Sequence, residues 1–216
     1  MRIYSVVAHP RLTSFCHAIS ERARAALVKS GHAVIHHDLY AEGFEPCLTA
    51  EEAYTIGDSV EDTLARATDP TLRQHRDEIA KVHGLLVVHP NWWGKPPAIL
   101  SGWLDRVLVP GVAYRLSSAD GLPDGLLSIR KALIFNTSDT PAERERTVLG
   151  DPLELIWGRC VLPFCGVKAY ERHVFRPVVG SEEDERRSWL STVDAVTAAA
   201  FPGATTGNHD GTVHLN

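Results

Sequence analysis

The chain has 216 residues, of which 44% are hydrophobic and 23% are charged, and this composition suits one globular domain with a sizeable core. A net charge of −5 argues against a nucleic-acid-binding protein, because there is no basic excess to meet phosphate groups. No stretch approaches the apolar length of a membrane span, and the four cysteines lie in apolar stretches, as expected of reduced thiols. We also expect no signal peptide before the first strand. We therefore expect a cytoplasmic protein without a membrane span.

The start of the chain predicts a β-α-β unit. Ile3 to Ala8 is a short apolar run typical of a buried strand, and a helical spacing of apolar residues begins at Phe15. Gly31 ends that helix, and Ala33 to His37 is a second strand. Such a unit implies parallel strands joined by a right-handed crossover.

The rest of the chain continues this alternation after an irregular insertion at 38–69. The further predicted elements are a helix from Asp69, a strand at 85–88, a helix at 98–107, a loop at 109–125, a strand at 132–135, a helix from Asp151, a strand at 167–175 and a last helix. Five strands alternating with five helices predict an α/β fold, a flavodoxin-like doubly wound parallel sheet of order 2-1-3-4-5 with helices on both faces. We expect one domain at 1–201 and a loosely ordered C-terminal tail at 202–216.

This strand order brings three loops, at 9–16, 90–96 and 136–144, to the edge of the sheet where open α/β sheets bind ligands. The first loop carries His9, and Thr13 and Ser14 stand at the start of the first helix. Free N–H groups and the helix dipole attract phosphate at such a position, and the hydroxyls add donors. The same residues also suit an ordinary helix cap, so both interpretations stay open.

Two adjacent tryptophans follow the third strand, within the segment Pro90-Asn91-Trp92-Trp93-Gly94. Exposing two indoles to water is costly, and a planar aromatic cofactor would give Trp92 or Trp93 a stacking partner. Gly94 permits a close approach of the backbone to a ligand. Core packing or a protein interface is the alternative explanation.

Small polar residues follow the fourth strand: Asn136, Thr137, Ser138 and Asp139. At a strand end they suit hydrogen bonds to the edge of a heterocycle, and equally a plain helix cap. Several motifs are missing, since no G-x-G-x-x-G follows the first strand and there is neither a Walker A sequence nor a nucleophile elbow. His36 and His37 are adjacent strand residues that point to opposite faces, so this pair predicts no metal site.

The segments A-H-P-R-L-T-S-F at 8–15 and P-N-W-W-G-K-P-P-A-I-L-S-G-W-L-D-R-V at 90–107 resemble those of the NAD(P)H:quinone oxidoreductase family, which includes DT-diaphorase-like proteins. Its members are flavin enzymes with the flavodoxin-like fold. The resemblance spans roughly residues 1–175, and the second segment is specific whereas the first alone is not.

The resemblance implies roles for particular positions. His9, Thr13, Ser14 and Phe15 lie where the family contacts the flavin phosphate and sugar chain, and Pro90, Asn91, Trp92 and Trp93 match the segment along the isoalloxazine ring. In the family, a Thr-Thr-Gly-Gly turn donates backbone amide hydrogen bonds to the ring. Its place is taken here by Asn136, Thr137, Ser138 and Asp139, so both glycines are missing. Tyr114 matches an aromatic that shapes the substrate pocket, often across a dimer interface, so a homodimer is expected.

The family's catalytic residues do not carry over, since its Tyr and His positions fall near Arg144 and at Leu149. We hypothesise that Arg144 or Arg146 stabilises the negative charge of the reduced flavin instead. An unchanged reduction rate and potential in both Arg→Ala variants would show this hypothesis to be wrong.

The implied mechanism passes a hydride from NAD(P)H to flavin N5 and then two electrons to a small quinone-like acceptor in the same site, which predicts ping-pong kinetics. FAD is favoured over FMN because the insertion at 38–69 has the length to cover an adenosine. The alternatives are a flavin-binding regulatory or interaction subunit with little turnover, and an azo- or nitro-compound reductase. The sequence does not choose between NADH and NADPH.

Overall fold

The computed structural model describes residues 1–55, 57–116 and 123–203. The described strands are β1 (Arg2–Val7), β2 (Ala33–Asp38), β3 (Gly84–Pro90), β4 (Tyr114–Leu116), β5 (Pro123–Gly125), β6 (Lys131–Thr137) and β7 (Tyr170–Phe175). Five of them form a parallel sheet of order β2-β1-β3-β6-β7, while β4 and β5 pair antiparallel. Counted along the chain, the main sheet has the predicted order 2-1-3-4-5, so the fold prediction is confirmed.

The central strand β3 shows why this sequence forms a parallel sheet. Every residue of Gly84–Pro90 is buried, as expected of a strand covered by helices on both faces. Its neighbours align in register, with Val88 opposite Val7 of β1 and opposite Phe135 of β6. The apolar β-branched run of β3 therefore lies at the middle of the sheet.

Helices cover both faces of the sheet. They are α1 (Phe15–Lys29), α2 (Val60–Arg66), α3 (Pro70–Ile79), α4 (Ala98–Val107), α5 (Ala142–Thr147), α6 (Pro152–Glu154), α7 (Leu162–Phe164) and α8 (Glu183–Ala200), with a π-helical turn at Leu155–Val161 between α6 and α7. Ser14 caps α1, and Asp69 caps α3 ahead of Pro70.

Alternation along the strands divides the core into two layers. Ile3 and Val7 of β1 pack with α1 and α8, whereas Tyr4 and Val6 pack on the opposite face with α3 and α4. Burial of one side chain such as Leu27 in these layers contributes about 1.5–3 kcal/mol. The two layers fix the strands and thereby the loops at their carboxyl ends.

The structure adds elements that the sequence pattern did not predict. The insertion at 38–69 contains α2, capped by the Ser59 hydroxyl, and the short strands β4 and β5 occur within the predicted loop at 109–125. Residues 117–122 of that loop and 204–216 of the predicted tail lie outside the described residues. Among the described helices, none combines the length and the apolar character needed to cross a bilayer.

Candidate functional site

A cleft of about 390 Å³ lies where β1, β3 and β6 end. The three predicted loops meet in it, because parallel strands present their carboxyl ends at one edge of the sheet. A fourth segment, after β7, adds Val178 and Val179, which the sequence did not predict. The lining consists of His9, Pro10, Arg11, Thr13, Ser14, Phe15, Cys16, Pro90, Asn91, Trp92, Thr137, Ser138, Asp139, Val178 and Val179.

The loop between β1 and α1 is held by its own side chains. Arg11 N donates to His9 Nδ1 at 3.1 Å, and His17 Nε2 donates to the His9 carbonyl at 3.1 Å. Ser14 Oγ accepts from His17 N at 3.3 Å and so begins α1. Burial lowers the pKa of His9, which favours its neutral ring. The loop therefore presents the start of α1, with the Thr13 and Ser14 hydroxyls, to the cleft in a fixed arrangement.

Cys16 lies one residue inside α1 and lines the same end of the cleft. Its Sγ is 3.2 Å from Thr137 Oγ1, and burial raises the pKa of the thiol to about 12. Cys16 is therefore a neutral thiol that joins α1 to the end of β6. It supplies no charge to a ligand.

The tryptophan segment forms a tight turn. Trp92 and Lys95 exchange backbone hydrogen bonds of 3.3 and 3.2 Å, and the two residues between them, Trp93 and Gly94, have φ of 60° and 72°. Two central residues with positive φ define a type I′ turn, which usually takes Asn-Gly. Trp93 is thus held in a conformation that is unfavourable for a bulky side chain. Asn91 Oδ1 supports the turn by accepting from Gly94 N at 2.9 Å.

The turn separates the two indoles. Trp92 lines the cleft, with its ring centroid 5.8 Å from that of His9. Trp93 is 96% exposed and does not line it. Of the two stacking surfaces that the sequence offered, the structure places only Trp92 in the cleft.

The opposite wall pairs the loop after β6 with the segment after β7. Val178 N donates to the Ser138 carbonyl at 3.2 Å, and Val179 N donates to Asp139 Oδ1 at 2.7 Å. The Ser138 side chain turns back to accept from Thr140 N at 3.1 Å. This wall therefore presents the Asp139 backbone and two valines, while the Ser138 backbone and the side chains of Ser138 and Asp139 are engaged within the protein.

Asn136 differs from its predicted placement, because its side chain is fully buried behind the cleft. Its Nδ2 contacts His89 Nε2 at 2.9 Å, and Trp157 Nε1 donates to the same His89 nitrogen at 3.0 Å. Arg172 Nη1 donates to Asn136 Oδ1 at 3.3 Å. A polar network that joins β3, β6, β7 and the π-helical turn thus supports the floor of the cleft, and a histidine within the apolar run of β3 was its one sequence signal.

Glu145 is the charged residue that sequence reasoning missed. It is 1% exposed, accepts from Asn91 Nδ2 at 2.5 Å and pairs with Arg176. Arg176 in turn donates to the Thr140 carbonyl at 3.3 Å. Glu145 therefore connects the tryptophan turn to the opposite wall.

Arg144 and Arg146, which flank Glu145, are both exposed, and Arg146 pairs with Glu143. Neither lines the cleft. Their hypothesised role toward a reduced flavin has no contact in this arrangement and stays a prediction.

Tyr114 and the insertion at 38–69 lie outside the cleft. Tyr114 packs edge-on against Phe164, with ring centroids 4.6 Å apart, and lines two hollows of about 820 and 520 Å³ beside α4. The insertion packs on α4, where Arg106 Nε donates to Glu52 Oε2 at 2.8 Å. The contact at Gly102 is so close that a Cβ on this residue would lie 2.1 Å from the Pro46 carbonyl oxygen. Among the described residues of 38–69, none lines the cleft.

Known proteins resemble this chain over nearly its whole length. Rat ribosyldihydronicotinamide dehydrogenase [quinone] is 28% identical over 214 residues, covering 90% of this chain and 91% of the relative. Rat NAD(P)H dehydrogenase [quinone] 1 is also 28% identical, covering 90% and 77%. The NAD(P)H:quinone oxidoreductase structure from Methanothermobacter marburgensis superposes with a TM-score of 0.72 at 25% identity, covering 91% of this chain and 95% of that one.

A family comparison agrees with the observed topology and with the position of the cleft. The family described as having the flavodoxin-like fold matches residues 1–195, which include every strand of the parallel sheet and all the residues that line the cleft. The chain belongs to this flavodoxin-like family.

Proposed function

We propose that the protein is a flavin-dependent NAD(P)H oxidoreductase that reduces a small quinone-like acceptor. The observation that carries this proposal is the convergence of the α1 N-terminus, Trp92 and the loop after β6 in one cleft. The quinone oxidoreductase relatives support the same class of reaction. Donor and acceptor would use this cleft in turn, which corresponds to ping-pong kinetics.

The donor set of the cleft fits a flavin. The first turn of α1, with the Thr13 and Ser14 hydroxyls, offers N–H and O–H groups to a phosphate. Arg11, which also lines the cleft, adds a positive charge at that end. Trp92 offers an aromatic surface to a planar ring, and the backbone at Asp139 offers polar groups to its edge.

A flavin held by these residues would supply the redox chemistry, namely hydride acceptance from NAD(P)H and two-electron reduction of the acceptor. The protein's own residues would bind and orient the flavin and its substrates, and they would exclude water from the cleft. Val178 and Val179 close one side of the cleft with apolar surface, and Glu145 holds Asn91 and thereby the tryptophan turn. We assign no catalytic acid or base, because the Asp139 carboxylate accepts from Val179 N and His9 Nδ1 accepts from Arg11 N.

FMN and FAD share the ring and the first phosphate, and this shared part is what the cleft would hold under the proposal. The insertion at 38–69, which favoured FAD from its length, packs against α4 instead, through Glu52 and Pro46. The reason for preferring FAD is therefore lost. Identification of the released flavin distinguishes the two.

We also propose that the protein is a cytoplasmic homodimer. All four cysteines are free, which suits a reducing compartment. The two hollows beside α4 share Leu104, Asp105, Leu108 and Tyr114, and around this one carboxylate they leave apolar surface open to a second copy of the chain.

The function is tested on the purified protein. We expect flavin absorbance at one flavin per chain, chromatography of the released flavin as FMN or FAD, and turnover of NADPH or NADH with a simple benzoquinone. Ser14→Ala, which removes a hydroxyl at the start of α1, should weaken flavin retention, while Ser191→Ala on the exposed face of α8 serves as the matched control.

The outcomes separate the alternatives. Bound flavin without turnover of any acceptor would favour a regulatory subunit. Turnover with azo or nitro compounds but not with quinones would agree with the proposed mechanism and would identify a different class of electron acceptor. A protein that binds neither flavin would contradict the proposal.

A further inference from the structure

The buried ion pair between Glu145 and Arg176 lies behind the cleft and lines no part of it. Glu145 belongs to α5, and Arg176 directly follows β7. A buried ion pair contributes little net stability, because the cost of removing both charges from water offsets their attraction. Such a pair can instead fix one arrangement of the groups that it binds, so its contacts indicate its role.

One oxygen of the Glu145 carboxylate fixes the side chain of Asn91. Asn91 Nδ2 donates to Glu145 Oε1 at 2.5 Å, and Asn91 Oδ1 accepts from Gly94 N at 2.9 Å. These contacts determine which way the amide points, because an ionised carboxylate only accepts and a backbone N–H only donates. Asn91 therefore links Glu145 to the second central residue of the tryptophan turn, Gly94.

The other oxygen of Glu145 is tied to the opposite wall of the cleft. It pairs with Arg176, whose Nη1 donates to the Thr140 carbonyl at 3.3 Å. Thr140 directly follows the residues of the β6 loop that line the cleft, and Arg176 lies two residues before the lining valines. The loops after β3, β6 and β7 are thus connected through one carboxylate.

The backbone around Glu145 also holds the turn. Asp151 N donates to the Glu145 carbonyl at 2.9 Å and so places Pro152. Gly94 lies so close to Pro152 that a Cβ on this glycine would be 2.9 Å from Pro152 Cγ. Any movement of the turn, and of Trp92 with it, therefore has to disturb contacts that start from Glu145.

We propose that Glu145 is a positioning residue that sets the affinity of the cleft for flavin, because it fixes the hydrogen-bond directions of Asn91 and thereby the place of Trp92. The inference rests on the proposed function, which supplies the ligand. Asn91, which the sequence suggested as a flavin contact, has both polar atoms of its side chain engaged within the protein. A surface that is ordered before the ligand arrives binds more tightly, because less conformational entropy is lost on binding.

The test exchanges the donor and the acceptor of this contact. In Glu145→Gln, the new N–H group must face either Asn91 Nδ2 or Arg176, and in Asn91→Asp two carboxylates face each other. In the double variant, the introduced amide donates to the introduced carboxylate and still accepts from Arg176, so all contacts are restored. Glu143→Gln, an exposed residue of the same helix, is the matched control.

FMN and FAD are each titrated into flavin-free protein, and binding is followed by flavin fluorescence. For the flavin that the wild type binds, we expect each single variant to bind about tenfold more weakly, because a buried polar group loses its partner. The double variant should recover to within about threefold of the wild type. The midpoint of urea unfolding of the flavin-free proteins should follow the same order, and Glu143→Gln should change neither quantity.

Circular dichroism establishes that each variant is folded, and both substitutions preserve the size of the side chain. A wild type that binds flavin no more tightly than Glu145→Gln would overturn the inference and leave the proposed function intact. Weaker binding in both single variants without recovery in the double variant would also overturn it, since directed hydrogen bonds would not be the cause. If a single variant does not fold, recovery of folding and flavin binding in the double variant supports the inference, and its absence overturns it. A wild type that binds neither flavin would contradict the proposed function, and this role with it.

Discussion

Trp92 and Trp93 are adjacent in the chain, yet the type I′ turn sends their side chains to different places. Trp92 lines the cleft, whereas Trp93 is 96% exposed with φ of 60°. A bulky residue in this region of backbone conformation costs of order 1–3 kcal/mol. Such strain is common at ligand sites, and here it accompanies a turn held by Asn91 and Glu145.

Mutations can distinguish the contributions of Trp92 and Trp93 to flavin binding. Trp92→Ala should weaken flavin binding about tenfold, because it removes the aromatic surface of the cleft. Trp93→Gly should change flavin affinity little and should raise the free energy of unfolding by about 1 kcal/mol, because glycine accepts positive φ. Flavin titration followed by fluorescence, and urea unfolding, measure the two effects. Equal loss of flavin in both variants would mean that the ring lies against Trp93 after all.

At the scale of elements, β3, β6, β7 and the π-helical turn meet in the network around His89. Burial, with a smaller effect of nearby Arg172, lowers the pKa of His89 to about 4 although the hydrogen bond to Pro90 opposes the shift, so the folded protein holds this ring neutral. Its Nδ1 donates to the Pro90 carbonyl at 2.8 Å, while its Nε2 accepts from Trp157 and Asn136. Protonation of Nε2 would break the contacts that connect the π-helical turn to the sheet.

Stability should therefore depend on the protonation of His89. Its pKa is about 4 in the folded protein against 6.5 for an ordinary histidine, so its contribution is complete above pH 6.5 and falls as the pH drops toward 4. Between pH 7.5 and 5.0 this single residue should cost about 2 kcal/mol of unfolding free energy. His89→Gln should be less stable at pH 7.5 but should lose about 2 kcal/mol less on acidification, as measured by urea unfolding.

The pKa of His36 is also lowered to about 4 by burial, so the wild-type slope contains both histidines. Only the difference between the wild type and His89→Gln reports on His89. The same slope in both proteins would show that His89 is not held neutral by the fold.

Local pattern predicted the elements well and the contacts between them poorly. The helix at 98–107 and the five strands follow from apolar runs and turn residues, which act over short stretches of sequence. Asn91 meets Glu145, and His37 meets His75, only because the sheet brings distant segments together. The predicted strand order located the loops of the cleft, but the side-chain directions of Trp93 and Asn136 depend on a turn and a network that no local pattern reports.

At the scale of the whole molecule, apolar surface remains open on the face of α4. The two hollows beside this helix, of about 820 and 520 Å³, share Leu104, Leu108, Tyr114 and the charged Asp105. Phe164 and Leu116 nearby are 38% and 58% exposed. Contiguous apolar surface of this kind marks interaction sites, and a symmetric dimer is the commonest way to cover it.

Leu104→Glu should convert a dimer into a monomer, because it replaces an apolar side chain that lines both hollows with a second carboxylate beside the exposed Asp105, and an interface would bury the two like charges together. Light scattering at micromolar protein concentration should give the mass of two chains for the wild type and of one chain for the variant. Val28→Glu, at a residue on α1 that is 62% exposed, is the matched control and should remain dimeric. A monomeric wild type, or a variant that is folded by circular dichroism and still dimeric, would rule out this face as the interface.

If Tyr114 shapes the partner's cleft, Leu104→Glu should also raise KM for the acceptor while flavin content stays unchanged, because the cleft of each chain is built from its own loops.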